Sequence, residues 1–345
     1  MKVIHLILVI TFLSLIHGCA KWKYVFDQGL GQMKIQLNAT DNDKLLADKN
    51  VKPHIKEKIK QIEKYKKYFY QYLELEPTGI YTKTTILDRK AISYLVIVST
   101  PYRIKPIKHS FPIVGEFPYL GFFQLSDAKK FQKEYQSKDY VTFVRPVYAY
   151  STLNYFQDPI VSSLFEYNDL DLMEIIFHEL FHSVLFIKDD VDTNENLANF
   201  FSVKLKMEFS KLSGDEKIQY QKQLYLEEET FAKLSKEIVK LDKIMKKRKF
   251  ENAQQANDFF QAYQQSTIWP KFNLEQKKII GLDRNYLNQA QMAAFMTYEK
   301  DDDFLNQYYL KHQFTPKTFF AHLQKKLKNY TVKTNKTFID FLKSN

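Results

Sequence analysis

An α+β fold is what the sequence predicts, and three observations predict it. Short runs rich in β-branched and aromatic residues are confined to the stretch before residue 165. Apolar residues recur at three and four over nearly everything from Asp169 onward. No Gly-, Ser- or Pro-rich linker separates the two regions. The prediction is therefore a single unit over residues 19–345, with a sheet-containing part at about 19–165 and a mainly helical part at about 166–345. At 45% hydrophobic and 16% aromatic content, the 345 residues suffice for a sizeable core, and Gly and Pro are too scarce for extended disorder.

The first 18 residues are of a different kind. Lys2 is followed by the apolar run VIHLILVITFLSLI, which is too short and too early for a stop-transfer helix, so residues 1–18 read as a secretory signal. The ending Ile16-His17-Gly18-Cys19 resembles the bacterial lipobox, in which the cysteine is lipidated and becomes the mature N-terminus. Cys19 is the only cysteine, so no disulfide can form within the chain. The expectation is an exported protein anchored to a bacterial membrane by acyl chains on Cys19. Ala20 stands where an Asp would favour inner-membrane retention, which points to the outer membrane or cell surface.

Residues 51–77, VKPHIKEKIKQIEKYKKYFYQYLELEP, predict an amphipathic helix ended by Pro77. AISYLVIVST (91–100), FPIVGEFPYLGFFQ (111–124) and YVTFVRPVYAYS (140–151) predict strands, with SDAKKFQKEYQS a helix between the last two. The formal charge is +11, of which residues 1–18 hold only Lys2. The lysines are interleaved with Glu and Asp along helical stretches such as EIVKLDKIMKKRKF, which describes solvated helix faces rather than a nucleic-acid surface. Attraction to an anionic membrane or wall polymer is the residual meaning of that charge.

The chemistry gathers at HELFH, His178 to His182, inside the apolar run EIIFHELFHSVLF. Asp171 with Glu174 predicts a capping box, and nothing breaks the helix before Lys188. His178 and His182 then share one face, and Glu179 stands about 100° round the axis. Two imidazoles and a carboxylate suit zinc, which keeps a fourth site open for water and lowers that water's pKa toward neutrality. The alternative is an accidental HExxH on a buried helix. Against it, Ile175, Ile176, Phe177, Leu180, Phe181, Val184, Leu185 and Phe186 surround the motif, where an unpaired Glu179 would be costly. For a third ligand, Glu195 falls in the first turn of the next helical stretch, capped by Asp192 or Thr193. Asn199, one turn on, is a candidate hydrogen-bond partner for a ligand. Asp189, Asp190 and Asp192 compete, with loop solvation and capping as their expected roles.

LMEIIFHELFHSVLFIKDDVDTNENLANFF resembles the signature of a family of bacterial lipoproteins described as putative aminopeptidases, zincin-type HExxH proteins with Asn-Glu thirteen residues after the last His. Gly18-Cys19 with Tyr24, Gln28, Gly31 and Gln32, then FPIVGEFPYLGFF, VYAYSTLNYFQDPI and NYLNQAQMAAFMTYE, extend the resemblance over the whole mature chain. It implies a zincin-like fold and a zinc-dependent hydrolase with His178, His182 and Glu195 as ligands and Glu179 as base. It further implies that an edge strand, here YVTFVRPVYAYS, pairs with a peptide substrate near Tyr150 and Ser151. Tyr298, in the C-terminal motif, is the candidate oxyanion donor. No Gly-x-Met-Glu-Asn stretch is present to bind a free α-amino group. Two other readings stand beside the peptidase: a non-catalytic envelope binding or assembly lipoprotein, and a zinc amidase acting on cell-wall amides.

Overall fold

The computed structural model describes residues 24, 26–111, 115–149, 157–188, 190–211, 214–282, 286–296, 302–330 and 337–344. Residues 1–18, Cys19, Tyr150, Ser151, Asp189 and Tyr298 lie outside them. In chain order the elements are α1 (residues 26–37), β1 (Thr40–Asp41), α2 (Asn42–Ala47), α3 (Pro53–Leu73), β2 (Lys83–Thr85), β3 (Ser93–Ser99), β4 (His109–Phe111), β5 (Gly115–Phe117), β6 (Leu120–Phe122), α4 (Leu125–Gln136), β7 (Val141–Val147) and β8 (Ile160–Val161). Then come α5 (Asp169–His182), α6 (Val191–Ser210), α7 (Gly214–Lys247), α8 (Ala253–Tyr263), α9 (Leu274–Ile279), α10 (Gln289–Phe295), α11 (Asp302–Lys311), α12 (Pro316–Asn329) and α13 (Phe338–Lys343). Every described strand precedes residue 162, and the class is α+β with small sheets.

The chain forms two compact units, each drawn from three separated segments. The first comprises the described parts of 1–38, 93–147 and 227–297, and the second those of 39–92, 148–226 and 298–345.

In the first unit, β6, β3 and β7 make an antiparallel sheet in that order, with β7 at an edge. The alternation of SYLVIVS drives it: Val96 and Val98 turn to one face and pack with Ala128 and Phe131 of α4. A helical core forms where Leu234, Ile238, Leu241 and Met245, at spacings of four, three and four along α7, meet Phe260, Trp269, Phe272 and Met292. Arg103 clamps Asp242 of α7 bidentately at 2.8 and 2.7 Å, and Ile104 N donates to the same carboxylate at 2.8 Å.

In the second unit, β1 pairs antiparallel with β2, which pairs parallel with β8. Helix α3 opens on Pro53 and buries Ile59, Ile62, Tyr65, Phe69 and Leu73. It ends at Leu73, before Pro77, because Glu74 takes the left-handed conformation at φ 55° and closes the last turn. Tyr65 and Phe69 pack on Phe177 of α5. Phe181 of α5 stacks at 4.5 Å on Phe201 of α6, which in turn stacks on Phe319 of α12.

Candidate metal centre

Helix α5 begins earlier and ends earlier than its sequence suggests. Its cap is Asn168, whose Oδ1 accepts from Asp171 N at 3.0 Å, so the predicted Asp171–Glu174 capping box does not form. It closes at His182 rather than running to Lys188, because Ser183 Oγ donates to Leu180 O at 2.6 Å and tightens the final turn. The next helix, α6, is capped by Asp190 and not by Asp192 or Thr193: Asp190 Oδ1 accepts from Thr193 N at 3.3 Å. Its other oxygen accepts from Phe338 N at 2.8 Å, which ties the start of α13 to the same turn. Between the helices, Asn194 closes a reciprocal pair with Ile187, donating to its carbonyl at 2.7 Å and accepting from its N–H at 2.8 Å.

Those local bonds send α6 back antiparallel along α5. A polar seam runs through the otherwise apolar contact: on α5 it is Glu174, His178 and His182, and on α6 Glu195, Asn199, Ser202 and Lys206. Spacings of four, three and four keep the α6 set on one face. At one end Lys206, 4% exposed, pairs with Glu174 and covers the ring of Tyr220 at 4.5 Å. At the other end lies the histidine pair.

His178 Nε2 and His182 Nε2 stand 3.1 Å apart. Glu195 presents one carboxylate oxygen to each, 3.4 Å from His178 and 3.5 Å from His182. These ligand atoms all fall within 4.8 Å of one another, and the group could hold a metal ion. Donors placed tetrahedrally at about 2.0–2.1 Å from zinc sit roughly 3.3 Å apart, so the spacing fits that ion. Glu179 is half-buried beside the pair, with Oε2 shielded from solvent.

The electrostatics follow the same contacts. Burial opposes charge on His178, yet the hydrogen bond it donates to Glu195, the charges of Glu179 and Glu195 and a hydrogen bond with Asn199 outweigh it and raise its pKa. His182 is pushed down to about 4 by burial and by its neighbour His178, against the pull of Glu195. Burial would raise Glu195, but the two imidazoles hold it below the ordinary carboxylate value.

The structure thus brings together His178, His182 and Glu195, with Asn199 against His178 as its spacing suggests. Strand β7, read as the substrate-pairing strand, belongs to the first unit, while α5 and α6 belong to the second. Tyr150, Ser151 and Tyr298 lie outside the described residues. Sequence reasoning missed the Glu174–Lys206 pair and the Asn194 clamp. The signal for the first was present, since Lys206 interrupts FFSVKLKM eleven residues after Glu195 and Glu174 lies one turn before His178.

A two-helix His-His-Glu group with the carboxylate of Glu179 beside it, set in an α+β chain, defines a candidate metal centre. The chain belongs to the family described as "Putative aminopeptidase", whose family model matches residues 23–338. That description is of a peptidase, a hydrolase. Neither a curated protein nor a solved structure matches the chain.

Proposed function

We propose that the protein is a zinc-dependent peptidase with a zincin-like fold, exported and held at a bacterial membrane by a lipid on Cys19. The convergence of His178, His182 and Glu195 from two antiparallel helices carries this reading. Family membership supports peptide bonds as the substrate. His178, His182 and Glu195 would hold the ion, and zinc when bound would supply a Lewis acid that acidifies water and polarises a carbonyl. Glu179 takes the proton of the attacking water and hands it to the departing amine as the C–N bond breaks. Asn199 orients the His178 ring, as hydrogen-bond partners of metal ligands do. Tyr298 is assigned to the developing oxyanion, and Tyr150 and Ser151 to the extended substrate. No nucleic-acid partner is part of the reading. The anchor is supported by the position of the single cysteine after an apolar run. No helix of the described residues is long and apolar enough to cross a membrane.

The test is hydrolysis of a peptide library by two variants measured beside their metal content. Glu179→Gln should keep the metal and lose activity by about 10²–10⁴-fold. His178→Ala should lose both. A Glu179→Gln protein as active as the parent would refute Glu179 as the base.

A further inference from the structure

Helix α1 carries its hydrophobic row on the outward side. Phe26, Leu30, Met33 and Leu37 are 65%, 37%, 50% and 76% exposed. Their spacing of four, three and four places them within about 60° of arc. The opposite face is the one that meets protein. Tyr24 OH bonds both the carbonyl and the N–H of Gly121, at 2.8 and 3.0 Å. Gly31 lies so close to the Phe123 ring that a Cβ would meet it at 2.1 Å, and Ile35 is 3% exposed. A surface helix of a soluble domain has the reverse arrangement, with its polar face outward. A contiguous exposed apolar row marks a contact.

What covers the row is indicated by the chain just before it. Cys19 precedes Phe26 by seven residues, a reach of at most roughly 25 Å. Between them Lys21, Trp22 and Lys23 supply two cations and an indole, the residue types that suit a phospholipid headgroup layer. Only Asp27 and Lys34 are charged along α1 itself, and neither interrupts the row. We propose that α1 is an interfacial helix whose Phe26, Leu30, Met33 and Leu37 side chains lie in the headgroup–acyl boundary of a phospholipid membrane. The helix is then a second membrane contact beside the lipid on Cys19, of the kind that turns a marginal anchor into a stable one. The choice of occupant rests on the reading of Cys19 as lipidated.

The test removes the lipid. Residues 19–345 with Cys19→Ser retain every described element and carry no acyl chain. This protein should sediment with vesicles of phosphatidylethanolamine and phosphatidylglycerol and stay bound in high salt. Phe26→Asp/Leu37→Asp should bind at least about tenfold more weakly while unfolding at the same denaturant concentration. Absence of vesicle binding by the Cys19→Ser protein would overturn the proposal. So would binding that salt abolishes and the double variant leaves unchanged, since lysines alone would then account for it. A dimer in ultracentrifugation that the double variant dissolves would make a second copy the occupant and overturn it too. None of these outcomes depends on metal content, so the zinc reading stands or falls separately.

Discussion

Asn199 shows how much one side chain can matter at the centre. It lies one turn beyond Glu195 on α6, and its hydrogen bond with His178 helps hold that ring in place. Asn199→Ala should weaken zinc about 10–100-fold in a chelator competition while leaving the unfolding transition nearly unmoved. At this scale the sequence was informative where helix geometry alone decides: residues four apart share a face, which brings His178 to His182 and Glu195 to Asn199. It was uninformative where a turn decides. Capping was among the roles expected of Asp190, and it caps α6, but its tie to Phe338 and the Asn194–Ile187 pair depend on how the chain reverses between α5 and α6. Nothing in the spacing of those residues announces that reversal.

Helix pairing is set at the other end of the seam. With α5 and α6 antiparallel, the Glu174–Lys206 pair fixes their register, and that register keeps Glu195 opposite the two histidines. Lys206→Met should destabilise the protein by about 1–3 kcal/mol in urea titration, since Glu174 loses its buried partner while solvent and the Tyr220 hydroxyl relieve part of the cost. Adding Glu174→Leu should recover most of that loss, because the penalty belongs to the unpaired charge. Existence and type were legible for the long periodic elements, α3, α4, α5 and α6, and for strands β3 and β7. Boundaries were not. Helix α5 stops at His182 because a serine hydroxyl closes its last turn, and α3 stops at Leu73 because Glu74 turns left-handed. Both events depend on the local backbone rather than on hydrophobic period.

For the molecule as a whole, the α+β class followed from the switch between period two and period 3.6 near residue 165. The two compact units did not follow, because each joins segments far apart in sequence and no linker composition marks their borders. Stability in acid should report one of the long-range ties. Burial would raise Asp242, but hydrogen bonds from Arg103 and Ile104 N outweigh it and hold the carboxyl below its ordinary value of 3.8. A depressed folded pKa stabilises above the unfolded pKa and loses that contribution as pH falls through the folded one. Asp242→Asn should therefore cost about 1.5–3 kcal/mol at neutral pH, and the gap from the parent should close below about pH 4. Whether His178, His182 and Glu195 hold zinc is decided by plasma mass spectrometry of metal in residues 20–345 beside a His182→Ala variant. The expected result is about one zinc per chain in the parent and little in the variant, the stoichiometry of a single site. Equal zinc in both, or none in either after zinc is supplied, would contradict it.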